Sequence, residues 1–388
     1  MRKCRYKRTL IILTLNLSIL ILLSGCWSSR PIEDLNIIVG SSLDKDGEGN
    51  LKSTLQYVVP QALDTTKSGG GNVSKPYINV IGEGISLEPT GWDTTLSRNG
   101  FIFGAHQKCL VISEELAREI NLRELTDLYF RDIDIRGSTL IFIAKGEASK
   151  ALETKEPNVI PSLRIVEIAN QSLTSIIVSK TPLIKIGGLM NSGSSFLLQL
   201  LETTDKGIKF SGGAVFNGKK NKMIGSLNPL EVEGVNWITA QGKGGAVKAY
   251  TKKSDGPTWF QIESMKSKVT PHIKGDKITF DVKIESEGRV AEYWNPKLRP
   301  LFDEKNVKRV EKATEAEVTK IVENVTKKLQ NEYKTDVAGF GNEIRIQYPK
   351  KWKKMKNDWD ELFSKAKINY DVHILIRDYG MIGKKTNK

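Results

Sequence analysis

Residues 278–285 read Ile-Thr-Phe-Asp-Val-Lys-Ile-Glu, in which apolar and polar side chains alternate at every position. This period of two predicts a half-buried strand of an antiparallel sheet, because successive strand residues point to opposite faces. Strands are also predicted earlier, at residues 196–201 and 208–216, and Asn217-Gly218 predicts a hairpin turn because both residues accept positive φ. We therefore predict a strand-rich middle domain over residues 193–290.

The chain after this block is predicted to be helical and then extended. Residues 304–334 carry an apolar stripe at helical spacing between charged faces, which predicts one long amphipathic helix. A basic helix is predicted over residues 350–363, and residues 368–376 alternate as a strand. Two helices followed by a strand predict an α+β C-terminal domain over residues 291–388.

The region before the middle domain mixes strands and helices. Strands are predicted at residues 51–59, 101–112 and 139–144, and a helix at 162–178. Ser113 and Asn121 are predicted to cap two short helices. No helix follows the glycine-rich stretch near residues 64–76, so we expect a loop there and no phosphate cradle. A composition change after residue 190 ends this N-terminal domain, residues 26–192.

The N-terminus has the layout of a secretory signal. Residues 1–8 are basic, and residues 10–23 form an apolar run shorter than the roughly 20 residues that span a bilayer. Leu23-Ser24-Gly25-Cys26 follows and resembles a bacterial lipobox. We predict a signal peptide over residues 1–25, cleavage after Gly25, and an N-palmitoyl, S-diacylglycerol cysteine at Cys26. Two acyl chains anchor a protein stably. An uncleaved anchor or a buried helix is the alternative.

Composition sets the class of protein and the kinds of partner. The chain has 388 residues, 39% of them hydrophobic and 27% charged, which excludes wholesale disorder and a polytopic membrane protein. Its net charge is +14, and the five positive charges in residues 1–8 would leave with the signal peptide. A basic protein can approach anionic lipid, cell wall or nucleic acid, and charge alone does not choose among them. Because an exported chain rarely meets nucleic acid, we expect no nucleic-acid partner.

Candidate catalytic groups are few. His106, His272 and His373 lie far apart without metal-ligand spacing, and Cys109 sits in an apolar run typical of a buried strand. Asp132 and Asp134 alternate with apolar residues between two arginines, which favours structural ion pairs over a catalytic pair. The sequence contains no P-loop and none of the serine-nucleophile motifs. We therefore predict a protein that is not an enzyme and uses no cofactor or metal.

One basic cluster leaves two interpretations open. Five lysines surround Trp352, at positions 350, 351, 353, 354 and 356. A solvated helix face above a buried aromatic stripe is the simpler interpretation. A patch that faces anionic lipid is the alternative.

Several blocks in a shared order make the chain similar to a known family. They are Cys26-Trp27, residues 103–108, Arg131 to Arg136, residues 212–216, Lys222 to Gly225, and a tail with Asp336, Gly339-Phe340-Gly341, Trp352, Trp359, Phe363, Ile376-Arg377 and Gly380. The chain resembles the Ger(x)C lipoproteins, the C subunits of spore germinant receptors. Two departures are Asp134, where glutamate is usual, and Ser28-Ser29-Arg30, where an acidic residue usually follows Cys-Trp.

The resemblance carries expectations about fold and function. It implies an α+β protein of three consecutive mixed domains, each on a largely antiparallel sheet, after the lipoprotein signal peptide. It implies a non-catalytic subunit held by lipid on the outer face of the inner spore membrane. Its partners would be two integral membrane subunits, an A-type and a transporter-like B-type, that respond to nutrients. We expect docking or transduction rather than capture of the nutrient.

A solute-binding lipoprotein that delivers a small ligand to a transporter is the alternative. That class predicts two similar α/β lobes, which the strand-rich middle block disfavours. The identity of the nutrient, the contact surface and the stoichiometry are not encoded in any motif that we find.

Overall fold

The structure is a computed structural model of the chain. It describes residues 6–7, 11–14, 31, 34–59, 75–87, 100–154, 156–170, 176–205, 207–242, 244–252, 256–294 and 304–378. Gly25 and Cys26, almost all of the predicted signal peptide, and most of the predicted loop 64–76 lie outside the described residues. The predictions made for them stay predictions.

Nine strands form the larger of two sheets. They are β1 (Leu35–Lys45), β2 (Leu51–Val58), β3 (Tyr77–Gly84), β4 (Phe101–Phe103), β5 (Cys109–Ser113), β6 (Leu140–Lys145), β7 (Phe196–Thr204), β8 (Gly207–Asn217) and β9 (Lys222–Leu227). Eight of them pair in the order β3-β2-β1-β5-β6-β7-β8-β9, and β4 pairs with the start of β1. The four central strands β1, β5, β6 and β7 run parallel, whereas β2, β3, β8 and β9 pair antiparallel.

The parallel centre corrects our prediction of a largely antiparallel sheet in every domain. β5 is buried at all five positions, and β6 is buried at its first five. Strands covered on both faces have continuous apolar runs and pair in parallel through helical crossovers. The described residues contain two sheets rather than three, because β6 and β7, on either side of the predicted boundary at 192–193, pair directly. The division into three domains itself stays a prediction.

Five helices connect the strands of the large sheet. They are α1 (Glu114–Glu119), α2 (Leu122–Leu125), α3 (Asp127–Arg131), α4 (Pro161–Asn170) and α5 (Leu183–Ser192), with a 3₁₀ turn at Ser149–Leu152. Both predicted caps are confirmed: the Ser113 hydroxyl accepts from Leu116 N, and the Asn121 side chain accepts from Arg123 N. α4 covers the first part of the predicted helix 162–178 and ends before the undescribed residues 171–175.

Two local predictions are wrong in detail. The single strand predicted over residues 101–112 is two strands, because the chain turns after Phe103 and places Gln107 in the interior. Gln107 Nε2 donates to Ser41 Oγ at 2.7 Å there. The hairpin after β8 is a four-residue loop rather than a two-residue turn. Asn217 accepts from the amides of Lys219 and Lys220, each at 3.1 Å, and its own backbone remains in the strand.

The smaller sheet contains the stretch that alternates at residues 278–285. Its strands are β10 (Ala246–Ala249), β11 (Thr258–Lys274), β12 (Lys277–Tyr293) and β13 (Lys367–Asp378), paired in that order. Ile278, Phe280, Val282 and Ile284 of β12 are buried, which confirms the predicted half-buried strand. β11 and β12 pair antiparallel, whereas β13 pairs with β12 in parallel.

Five more helices complete the structure. They are α6 (Pro229–Thr239), α7 (Glu304–Lys328), α8 (Phe340–Gln347), α9 (Pro349–Met355) and α10 (Trp359–Lys365). α7 continues into a π-helical turn at Leu329–Tyr333, so the predicted helix 304–334 is confirmed over nearly its full length. The predicted basic helix 350–363 is two helices, because a 3₁₀ turn at Lys356–Asp358 separates α9 from α10.

One apolar core joins the two sheets. Trp237 of α6, Phe280 of β12 and Val325 of α7 are buried in it together with Val215 of β8. α6 is fixed at its start by Asn228, which accepts from Glu231 N while the Glu231 carboxylate accepts from Asn228 N. This capping box satisfies two backbone amides that would otherwise lack partners. The shared core means that the small sheet and the large sheet pack as neighbours through α6 and α7.

Candidate functional site

The edge where the parallel strands finish forms a cleft. β1, β5 and β6 end there at Lys45, Ser113 and Lys145, and open α/β sheets bind ligands outside the carboxyl ends of such strands. The cleft has a volume of about 390 Å³ and is lined by Asp44, Lys45, Ser113, Glu114, Glu115, Arg118, Gly146 and Glu147. Its size falls within the range of small-molecule sites.

The charged groups of this cleft are bound to one another. Arg118 pairs with Glu114 at 2.6 Å, and Lys45 pairs with Glu119 at 2.7 Å. Asp44 is buried, and its carboxylate accepts from the amides of Ala148 at 2.6 Å and Ser149 at 2.8 Å. Burial raises the pKa of Asp44, and these two amides oppose the rise. The cleft therefore offers paired charges rather than a free acid, base or nucleophile.

A second hollow lies at the outer strand β3. It has a volume of about 560 Å³ and is lined by Val59, Lys75, Tyr77, Ile78, Asn79 and Glu153. It borders residues 60–74, which the structure does not describe, and so it supports no assignment of a ligand.

The tail block of the sequence forms a buried polar centre around Asp336. One carboxylate oxygen of Asp336 accepts from Gly339 N at 2.8 Å and Phe340 N at 3.1 Å. The other accepts from Gly341 N at 2.7 Å and from the indole Nε1 of Trp359 at 3.0 Å. Burial raises the pKa of Asp336, and the four donors oppose the rise. This centre positions α8 against α10 and explains why aspartate, two glycines and tryptophan occur together in the tail.

The glycines of that block are required by geometry. Gly339 has φ of 83°, a left-handed conformation that glycine adopts without strain. A Cβ on Gly341 would lie 2.7 Å from Trp359 Nε1, so a side chain would displace the indole from Asp336. The Gly-Phe-Gly sequence is therefore a structural turn.

The carboxylates at 132 and 134 do not form the predicted ion pairs with their neighbouring arginines. Arg131 pairs with Asp127 on α3 at 2.6 Å, because that residue lies one helical turn earlier. Asp132 accepts from Asp134 N at 2.8 Å and closes a local turn. That turn leaves Ile133 96% exposed, a tip that the alternating sequence pattern did not predict.

The cysteine and the three histidines considered as candidate catalytic groups have structural roles or local partners. Cys109 is fully buried in β5, as predicted, and burial raises the pKa of its thiol to about 12. His272 lies 2.9 Å from Asp281, His373 lies 3.1 Å from Asp371, and the His106 ring packs on Phe103. Among the described residues, no group of three potential ligands could hold a metal ion.

The predicted basic cluster lies on α9 and the turn that follows it. Lys350, Lys351, Lys353, Lys354 and Lys356 are all exposed. Beneath them Trp352 packs against Trp359 with ring centroids 5.4 Å apart, which agrees with the predicted aromatic stripe. The structure therefore places an uninterrupted positive face above the tail core.

No helix in the described part of the chain is both long and apolar enough to cross a bilayer.

Two protein-family models match the chain, and together they cover most of its length. The model described as "Spore germination protein N-terminal domain" matches residues 28–203, and the model described as "Spore germination B3/ GerAC like, C-terminal" matches residues 211–380. The chain belongs to the GerAC-like family of spore germination proteins. This confirms the resemblance to the Ger(x)C proteins and gives the chain a role in spore germination.

Relatives of the GerAC-like family match along nearly the whole chain. Spore germination protein YndF of Bacillus subtilis is 40% identical over 402 residues, which cover 98% of this chain and 99% of that protein. Spore germination protein A3 of the same species is 31% identical, covering 94% of this chain and 96% of that protein. The crystal structure of the GerBC protein covers 87% of this chain and 97% of that chain at 24% identity, with a TM-score of 0.62. That likeness shows the same mixed α/β fold.

Two features of the fold were not predicted from the sequence. The buried Asp44 lies in an ordinary polar stretch, and only the arrival of Ala148 and Ser149 from a distant turn makes it an acceptor. The exposure of Ile133 could have been predicted, because an isoleucine between two aspartates in a short connection has no adjacent apolar residue to pack with. The tail motif was recognised, but the role of Asp336 as a four-fold acceptor required the tertiary structure.

Proposed function

We propose that this chain is the lipid-anchored, non-catalytic subunit of a nutrient germinant receptor in the inner membrane of bacterial spores. Its anchor is Cys26, which is acylated after cleavage behind Gly25. It docks on two membrane-embedded subunits, one of the A type and one transporter-like, and transmits their response to nutrients rather than capturing the nutrient itself.

The observation that carries the proposal is the end-to-end match to the GerAC-like family, in both its N-terminal and its C-terminal part. The relatives that match are spore germination proteins, and the match covers almost the full length of each. The described cleft favours a docking role over a catalytic one, because both of its basic side chains, Lys45 and Arg118, are already paired with carboxylates.

The alternative, a solute-binding lipoprotein, has less support. Two similar lobes would require two sheets of like topology, whereas the described sheets have nine strands with a parallel centre and four strands with one parallel edge. The buried core that α6 and α7 share between the sheets also differs from a cleft between lobes.

Germination of mutant spores tests the proposal. Spores with Cys26→Ala, with the gene deleted, and with Cys4→Ala are compared for nutrient-triggered release of dipicolinate. Cys4→Ala is the matched control, because Cys4 is predicted to leave with the signal peptide. We expect the deletion to fail on at least one nutrient, Cys26→Ala to be impaired, and Cys4→Ala to behave as the parent.

Two additional measurements make the test specific. A receptor-independent trigger should germinate all the spores equally, which separates receptor loss from a general spore defect. Incorporation of labelled palmitate should occur in the parent and in Cys4→Ala but not in Cys26→Ala. Normal germination of the deletion on every nutrient would contradict the receptor assignment, and palmitate on Cys26→Ala would contradict the anchor.

A further inference from the structure

Three features meet at the edge where the parallel strands begin, which we call the starting edge. β1 begins there at Leu35, β6 at Leu140 and β7 at Phe196, because these strands run parallel. β8 runs opposite to β7 and pairs Phe216 with Phe196, so the loop after Asn217 lies at this edge as well. The chain therefore enters the fold at the same edge as the β8–β9 loop.

The first feature is the chain that leads to the anchor. Leu35 follows Cys26 by nine residues, and an extended chain spans at most about 3.6 Å per residue, or roughly 30 Å in all. The proposed acyl anchor thus keeps the starting edge within about 30 Å of the bilayer. The opposite edge is one strand length, about 20–35 Å, further away.

The second feature is an apolar tip on residues 132–139, which we call the Ile133 loop. It connects α3 to the start of β6 and so lies at the starting edge. Ile133 is 96% exposed, and Ile184, which contacts the loop at Gly137, is 69% exposed. The loop is held in place, because Ile184 N donates to Gly137 O at 3.0 Å and Phe130 lies against Gly187. Ile133 is the protruding apolar tip of this loop, and it lies between the exposed carboxylates of Asp132 and Asp134.

The third feature is the positive face of α9. The β8–β9 loop connects it to the starting edge, because Lys219 Nζ donates to Asn357 O at 2.7 Å and pairs with Asp360 at 3.2 Å. Asn357 lies in the turn that ends α9. From β1 to β8 the sheet crosses four strand spacings of about 4.8 Å, so Leu35 and this turn are separated laterally by roughly 20 Å.

Several lysines on the other charged helices have a carboxylate partner. On α7, Lys308 pairs with Glu304 and Lys327 with Glu323, and on α10 Lys365 pairs with Glu361. Within the described residues, by contrast, none of the four exposed lysines of α9 forms a salt bridge, and neither does the exposed lysine in the turn that follows. These are Lys350, Lys351, Lys353 and Lys354, with Lys356 in the turn. Lys351 Nζ donates to Ile273 O at 3.4 Å, but none of the five has a carboxylate partner, within the ranges that the structure describes, to neutralise its charge. Lysines in such density attract an anionic surface.

We propose that the starting edge lies on the bilayer, with the α9 lysines on anionic phospholipid headgroups and the Ile133 loop inserted at the interface. This inference rests on the proposed anchor at Cys26. The acyl chains supply attachment, the lysines supply orientation, and Ile133 removes its apolar surface from water. The finishing edge, with its cleft, then faces away from the membrane.

An introduced cysteine can report on this arrangement. Cys109 is fully buried and Cys26 is acylated, so in a Cys4→Ser background a single new cysteine is the only site that takes a label. Ile133→Cys carries an environment-sensitive fluorophore at the proposed contact. Glu48→Cys, exposed in the turn after β1, carries it at the finishing edge as the matched control.

The full lipid-anchored chain is reconstituted into vesicles of phosphatidylcholine alone or mixed with phosphatidylglycerol. We expect the label at 133 to shift its emission to the blue and to be quenched by spin-labelled lipid when phosphatidylglycerol is present. The label at 48 should stay in water in both kinds of vesicle. Lys353→Glu with Lys354→Glu should abolish the shift at 133, and high salt should weaken it.

A charge-matched variant separates a local contact from net charge. Lys308→Glu with Lys312→Glu makes the same change on exposed positions of α7, near the end of β13 that lies farthest from α9. This variant should keep the shift at 133. If both double variants lose it equally, overall charge rather than the α9 face is responsible, and the inference fails.

The remaining outcomes distinguish this inference from the proposed function. A label at 133 that stays in water, on a chain that floats with the vesicles, overturns the lipid contact and leaves the anchor intact. A chain that does not float with vesicles overturns the anchor and the inference together. Shielding of the label only when the membrane-embedded subunits are added assigns the starting edge to a protein contact and overturns the lipid inference.

Discussion

Replacing the buried Asp336 with asparagine should destabilise the tail. The substitution keeps the volume and the oxygen that accepts from Gly339 N and Phe340 N, at 2.8 and 3.1 Å. It replaces the other oxygen with an amino group, which then faces the donors Gly341 N and Trp359 Nε1. Two buried donors lose their acceptor, at ~1–3 kcal/mol each, so we expect a loss of about 4 kcal/mol in the free energy of unfolding.

That loss is large beside the 5–15 kcal/mol that stabilises a typical domain. Urea denaturation followed by circular dichroism measures it, and hydrogen exchange at residues 339–341 localises it. The amide of Gly341 should lose protection first. Asp358→Asn is the control, because Asp358 is exposed beside the same helix and caps nothing with its side chain, so its effect should stay within about 0.5 kcal/mol. Equal midpoints for the two variants, with Gly341 still protected, would refute the role of the carboxylate.

Two further predictions test packing and burial. Gly225→Ala places a Cβ 2.3 Å from the Tyr333 ring and should lower the free energy of unfolding by about 1–3 kcal/mol. Gly188→Ala, on α5 with open space around it, should raise the free energy of unfolding by about 0.5–1 kcal/mol. Thermal unfolding measures both changes. Because burial raises the pKa of Cys109 to about 12, its thiol should resist alkylation until the chain unfolds. Unfolded cysteine ionises near pH 8.5, so stability should fall above that pH by up to ~1.4 kcal/mol per unit, and Cys109→Ala should lack this part of the slope.

Local patterns predicted the elements whose signals are local. The alternation at residues 278–285 depends only on which face is buried, and the caps at Ser113 and Asn121 depend on atoms two or three residues away. The amphipathic helix 304–334 is set by its own apolar stripe, so its bounds were predicted almost correctly. Errors arose where a partner distant in the chain determines the local structure, as at Gln107, whose burial against Ser41 interrupts the strand predicted over residues 101–112.

The direction of strand pairing was not predictable in the same way. A buried run such as residues 140–144 is compatible with either direction, because both faces are apolar and no alternation remains. Whether β6 and β7 share a sheet depends on where the helices α4 and α5 return the chain, which is a tertiary property. The predicted boundary at 192–193 followed composition, and composition does not report on hydrogen bonding between strands.

By itself, the sequence predicted the export signal and the lipid site at Cys26. It also determined the helices and strands with strong periodicity and the family, because each is encoded in consecutive residues. Only the tertiary structure decided which of these segments meet. It gathered four donors around Asp336 and paired Lys45 and Arg118 with carboxylates at the cleft. It also brought the start of β1 to the same edge as the β8–β9 loop, which contacts the turn after α9. These contacts arise from strand direction and helix packing, which bring together residues that no continuous sequence pattern links.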